Sequence, residues 1–219
     1  LFRAGGVDSR IVSVDPSVFE KIPTAPFAYW VSKSVSACFS DFPCLGDGEY
    51  EAWVGLQTNH DFQWVRAWWE NQKRDELFGL VPFFKGGHRS PFYSDVYLCV
   101  RWGKEGRLIK EWKLGELNKG AITANNSQCW NEKNYFNPGV AWPSRTLAFS
   151  PRALPVGCIF AHKGPSVFSS RNDVKLLLAV MAMMNSRPFI TLLETRLNAA
   201  DKNARSYEVG IIEGTPLPD

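Results

Sequence analysis

The apolar and polar positions divide the chain into segments of different period. Residues 10–14, "RIVSV", alternate as a strand does, and Asp15-Pro16 then supplies an N-cap followed by proline at a first helical position, predicting a short helix to about Glu20. "KIPTAP" must turn, because each proline holds the residue before it extended. A second helix is expected from Pro26, with Phe27, Trp30, Val31 and Val35 on one face. In Asp61 to Glu70, "DFQWVRAWWE", Phe62, Val65 and Trp69 fall at helical spacing, with Trp68 beside them and Arg66 opposite, which reads as an amphipathic helix.

From Leu80 to Lys113 the period shortens. "DVYLCVRW" and "RLIKEWK" are rich in aromatic and β-branched residues and are divided by Gly103-Lys104-Glu105-Gly106, a hairpin signature. Residues 114–150 carry so much Gly, Asn, Ser and Pro that loops with short strands are expected. "VGCIF" reads as a short buried strand. Asn172 or Asp173 caps the clearest helix, Val174 to about Asn185, and Pro188 begins another to about Leu197. "SYEVGII" reads as a final strand and "TPLP" as a stop.

Composition narrows the class. With 45% apolar residues, 21% charged, nine Trp and fifteen Phe in 219 residues, the chain has what an ordered core needs. The net charge of +3 is too small to announce nucleic acid, although local clustering could still build a basic face. The longest apolar run, Leu176 to Met184, falls well short of the roughly 20 residues that span a bilayer. Five scattered cysteines without a CxxC pair argue against structural zinc and fit free thiols in a reducing cytosol. A cytoplasmic protein with no membrane partner is expected. The abrupt start, "LFRAGG", suggests a piece of a longer chain.

Several chemistries can be weighed on the residues. "NYFNPGVAWPSR", residues 134–145, approaches the Asn-Pro-Pro-aromatic tetrapeptide with which amino-methyltransferases hold a flipped base. Asn137-Pro138-Gly139-Val140 lacks its second proline and its aromatic, and Gly5-Gly6 and Gly86-Gly87 lack the spacing of a cofactor-binding turn. A Mg-dependent nuclease is the alternative, with Glu111-Trp112-Lys113 as an E-x-K on a strand and Asp95 as the second carboxylate. A further alternative is a Trp-rich binding module, but Trp30, Trp64, Trp68 and Trp69 have core-like spacing, and the Met residues near Met184 read as core packing. His60, His88 and His162 stand alone.

What remains is a set of basic, glycine-bearing loops. They are "FFKGGHRS" with Lys85, His88 and Arg89, "WPSRT" with Arg145, and "AHKGPSVFSSR" with Lys163 and Arg171. Glycine beside Lys or Arg lets a backbone N–H approach a phosphate, and a loop arginine can fork onto guanine.

Strings in a fixed order carry a resemblance. "FEKIPTAPFAYWVS", "VGLQTNHDFQWVRAWWE", "PFFKGG", "YFNPGVAWPSRT", "GCIFAHKGPSVF", "LLLAVMAMMNSRPF" and "SYEVGIIEGTPLP" resemble the C-terminal half of PglX/Eco57I-like adenine-specific DNA methyltransferases of the BREX type. Their recognition region is similar to the TaqI-type specificity domain. The likeness runs from about Phe19 to Pro218. Relatives show Gly-Leu-x-Thr-Gly-Asp-Asn where this chain has Gly55-Leu56-Gln57-Thr58-Asn59-His60-Asp61, which puts that turn's role in question.

The resemblance implies an α+β fold, a mixed sheet with irregular loops and flanking helices, forming a single target-recognition domain over residues 1–219. Residues 1–75 could form a helical connecting subregion. It implies duplex DNA and the methyltransferase domain of the same parent chain as partners. No cofactor is expected in this segment, with S-adenosylmethionine and methyl transfer to adenine N6 belonging to the parent. On this reading Lys85, Lys163 and Arg171 are phosphate candidates and Arg145 the candidate for base readout. Gly86, Gly87 and Gly164 would permit close approach to DNA, His88 and Arg89 are further DNA-binding candidates of the same loop, and Thr58 and Ser166 are lesser ones.

Overall fold

A computed structural model describes residues 13, 15, 17, 20, 22, 23, 30–70, 79–197 and 205–217. The early strand at 10–14 and most of the helix expected to Glu20 lie outside these residues, as do Pro26, Phe27 and Pro218. Helix α1 spans Lys33–Asp41 and starts later than the periodicity suggested, because Ser32 caps it by accepting from the Val35 N–H at 3.3 Å. Strand β1, Tyr50–Trp53, follows after a short 3-10 turn.

The expected amphipathic helix over 61–70 is not formed. The chain makes one helical turn, α2 (Asp61–Trp64), then strand β2 (Val65–Ala67) and a 3-10 turn at Trp68–Glu70. Pairing decides it: β2 lies against β4 (Leu98–Arg101), whose other neighbour is β3 (Leu80–Phe84). Trp64 is buried, but Trp30, Trp68 and Trp69 are 56, 62 and 63% exposed, so their core-like spacing misled. A strand sends neighbouring side chains to opposite faces, so a helical reading of this segment buries the wrong set.

The hairpin expected about Gly103–Gly106 is likewise absent. Lys104, Glu105 and Gly106 have φ of 51, 56 and 72°, and this left-handed turn opens helix α3, Gly103–Asn118. Gly106 is required there: a Cβ would meet the Trp102 ring at 2.7 Å. Beyond it come α4 (Ala124–Ser127), capped by Thr123, then β5 (Gly139–Ala141), β6 (Arg145–Thr146), β7 (Arg152–Leu154), β8 (Ile159–Phe160) and β9 (Ser166–Ser169). Loops with short strands are what the composition predicted there.

Helices α5, Val174–Met184, and α6, Arg187–Arg196, form where expected, capped by Asp173 and Ser186. "SYEVGII" differs: only Arg205–Ser206 is extended (β10), and Val209–Glu213 is helix α7. Among the described residues no single helix is long and apolar enough to cross a membrane.

The architecture is α+β. One antiparallel sheet has the order β1-β9-β5-β7, a second has β2-β4-β3-β8 with β3 and β8 parallel, and β10 pairs with β6. The first packs against α5 and α6 through Trp142, Val167, Val180, Met184 and Leu193, all of them essentially without exposure. The second buries Phe83, Val100, Ile109 and Ile159 beneath α3. Phe168 of the first sheet reaches into the second cluster against Phe160, with ring centroids 4.9 Å apart, so the segment between β8 and β9 runs from one sheet to the other.

Candidate nucleic-acid interface

Residues 160–165 connect the sheets and are laced to three other segments by backbone hydrogen bonds. Ala161 N–H donates to the Phe84 carbonyl at 2.9 Å, and His162 N–H donates to Leu56 at 3.0 Å. Their neighbours return the contact: Leu56 N–H donates to Phe160 at 2.9 Å, Ser144 N–H to Lys163 at 3.1 Å and Trp142 N–H to Pro165 at 3.0 Å. Three loops remote in sequence, 55–61, 84–89 and 142–146, are thereby fixed around one connector.

Glycines make this lacing possible. A Cβ on Gly55 would stand 2.0 Å from the Phe160 carbonyl oxygen, one on Gly86 2.4 Å from the Lys163 carbonyl oxygen, and one on Gly164 2.8 Å from the Gly86 nitrogen. Gly86 and Gly164 thus serve the approach of one loop to another, which by itself accounts for a glycine at both positions. Gly87, with φ +91°, is exposed and has only the Arg152 guanidinium near its Cβ position.

Two cavities open beside this connector. The first, about 300 Å³, is lined by Gln57, Thr58, Asn59, Asp61, Lys85 and His162 among others. In it the Lys85 ammonium is ion-paired with Asp61, whose other carboxylate oxygen accepts from the Thr58 hydroxyl. Desolvation pulls the Lys85 ammonium below the ordinary lysine value. It also lowers His162, helped by the charge of Lys163, which favours the neutral imidazole. The second cavity, about 430 Å³, is lined by Arg145, Lys163, Tyr207 and Glu208 among others. His162 and Lys163 line both cavities, so Lys85, Lys163 and Arg145 stand around adjoining openings, with Thr58 buried in the wall of the first.

Arg145 and Lys163 are exposed. Arg145 is placed by Trp142, whose indole N–H donates to the Tyr207 carbonyl at 2.9 Å, and by the Tyr207 N–H donating back to Ser144 at 2.9 Å. His88 and Arg89 lie exposed at the end of the 85–89 loop. Arg152 is 1% exposed and holds this loop from below: its guanidinium donates to the His88 carbonyl at 3.0 Å and to the Gly86 carbonyl, and stands 4.9 Å from the Phe84 ring centroid. Sequence reasoning missed Arg152 and Asp61. No local pattern marks a buried arginine in a loop-rich stretch, or an acid whose partner lies 24 residues away.

Other candidates stand elsewhere. Ser166 is fully buried, with its hydroxyl donating to the Gly164 carbonyl at 3.2 Å, so it braces the connector and faces no solvent. Arg171 lies past the far end of β9 from Lys163 and is ion-paired with Glu49. A strand rises about 3.3 Å per residue, so β9 alone separates the two by more than ~10 Å.

The nuclease constellation is not assembled. Glu111 and Lys113 sit on α3 and not on a strand, with Glu111 exposed beside Arg107 at 3.7 Å. Lys113 is buried, donating to the Gln128 carbonyl at 2.9 Å, as a brace for the α4 loop. Asp95 is an exposed acceptor of the Tyr93 hydroxyl at 2.7 Å. Among the described residues no cluster of His, Cys, Asp or Glu could hold a metal ion.

In the turn that departs from Gly-Leu-x-Thr-Gly-Asp-Asn, Asn59 stands where that motif has its second glycine. Asn59 has φ 61°, a conformation that asparagine tolerates better than most residues, and its amide donates to the Asn126 carbonyl at 2.7 Å. Gly139 of Asn137-Pro138-Gly139 opens β5, where a Cβ would meet the Val167 carbonyl oxygen at 2.7 Å. Strand packing accounts for that glycine without any catalytic role.

Comparison with known proteins agrees with the resemblance. The chain is 27% identical over 215 residues to the adenine-specific methyltransferase PglX of Lacticaseibacillus casei (strain Zhang), covering 91% of this chain and 17% of that protein. It is 28% identical over 202 residues to the adenine-specific methyltransferase BrxX of Escherichia coli O9:H4 (strain HS), covering 87% and 15%. Its homologues are thus adenine-specific methyltransferases, and it spans about a sixth of their length. No family model matches. A solved structure, the type IIG restriction endonuclease BpuSI, aligns with a TM-score of 0.49 and 10% identity over 90% of this chain and 27% of that one.

Proposed function

We propose that this chain is the target-recognition segment of a cytoplasmic N6-adenine DNA methyltransferase of restriction-modification or phage-defence type, binding duplex DNA and supplying sequence specificity. The observation that carries the reading is the joining of the Lys163 and Arg145 loops by the Ser144 to Lys163 hydrogen bond, which sets both exposed cations around one cavity. Homology to adenine-specific methyltransferases over most of the chain supports the same assignment.

On this reading Lys163 neutralises phosphate, and Arg145, exposed on a braced strand, reaches a base edge. Arg89 and His88 extend the backbone contact. Methyl transfer from S-adenosylmethionine, with base flipping, belongs to the methyltransferase domain of the longer protein, and no chemical step is assigned to residues of this chain. The test is duplex binding by the full-length protein, followed by anisotropy at several salt concentrations. Lys163→Ala should weaken all sequences alike and flatten the salt dependence by about one ion. Binding unchanged by both Lys163→Ala and Arg145→Ala would remove this surface from the interface.

A further inference from the structure

The first cavity contains a charge arrangement unsuited to a phosphate. Lys85 was expected to meet DNA backbone, but its ammonium is held by Asp61, and a carboxylate there repels a phosphate as strongly as the lysine attracts it. The pair is accessible, with side-chain exposures of 32 and 50%. Both groups keep unused capacity: an ammonium has three donors and a carboxylate about four acceptor positions, whereas Lys85 donates to Asp61 and Asp61 accepts from Lys85 and Thr58. The carboxylate is also pre-aimed, since it is held from two sides on a turn whose Leu56 is locked to the connector.

A carboxylate presented to a base edge accepts from an amino group and is repelled by a carbonyl oxygen. The lysine beside it offsets the repulsion between that carboxylate and the DNA backbone. We propose that Asp61 reads one position of the target through the major groove, requiring an amino-bearing base, adenine or cytosine, and rejecting the keto bases guanine and thymine. Lys85 and Thr58 act as positioning residues that hold its carboxylate. This inference rests on the reading of the chain as a DNA-recognising segment.

The test uses the full-length protein and a panel of duplexes derived from its preferred site, each altered at one base pair. Wild type should discriminate amino from keto bases at one position by about tenfold or more. Asp61→Asn should abolish that preference, because an amide can also donate to a keto oxygen, while affinity for the preferred site falls less and the thermal midpoint stays put. Thr58→Val and Lys85→Met should weaken the preference at that same position and no other. Comparing the adenine and cytosine duplexes identifies which amino base is read. Discrimination intact in Asp61→Asn, or an equal loss across all duplexes, overturns the assignment of Asp61 while leaving DNA recognition by the chain standing. Wild type that binds no duplex overturns both.

Discussion

The two ends of the β1–β9 ladder carry similar residues in different settings. At the Trp53–Ser166 end the chain leads into the Gly55–Asp61 turn and the Ala161–Pro165 connector, where Lys163, Arg145 and Lys85 surround two adjoining cavities. At the Tyr50–Ser169 end Arg171 is engaged with Glu49. In the sequence Lys163 and Arg171 belong to one stretch, "AHKGPSVFSSR", and look equivalent. A four-residue strand buried along its whole length runs between them and sends them to opposite ends. A basic residue becomes a candidate contact through the company its backbone keeps, more than through the glycine or serine beside it.

That contrast can be broken at the braces of the first end. Arg152→Ala should have the largest effect, about 3 kcal/mol of stability, because two loop carbonyls lose a charged donor and a buried side chain is removed. Denaturant unfolding measures it, and DNA binding should fall with it. Gly164→Ala comes next, at about 1–3 kcal/mol, since the new methyl meets the Gly86 nitrogen and Phe84 carbonyl oxygen at 2.8 and 3.0 Å and backbone must shift. The same unfolding series, set beside a Gly48→Ala control where nothing lies within 4 Å, isolates the crowding.

Contacts that do not support the fold should sharpen the contrast with smaller effects. Arg145→Ala should relax discrimination at one base pair by about 1–3 kcal/mol, read by competition among single-substitution duplexes. Arg171→Ala should change stability by only about 0–1 kcal/mol, because its ion pair is exposed, and should leave DNA affinity and its salt dependence as in wild type.

Legibility followed the range of the interactions. Helices α5 and α6 were readable because their apolar faces and the caps Asp173 and Ser186 are local signals. The segment 61–70 was not, since its fate is set by pairing of Val65–Ala67 with Leu98–Val100, more than thirty residues away. The same limit applies to the surface. Lys85, Lys163 and Arg145 were visible as basic residues in glycine-bearing or proline-bearing loops. Their convergence depends on Gly86 and Gly164 packing against each other and on Arg152 from below. The Asp61 partner that changes what Lys85 can do comes from a third segment.

On the proposed reading one end of the ladder meets DNA and the other does not. Its most direct test is the salt dependence of duplex binding by the full-length protein carrying Arg145→Ala and Lys163→Ala together, measured beside Arg171→Ala. The double variant should lose affinity steeply and show a salt slope lower by about one ion, the share of Lys163, while Arg171→Ala overlays wild type. A wild-type slope in the double variant, or an equal loss with Arg171→Ala, would contradict the account.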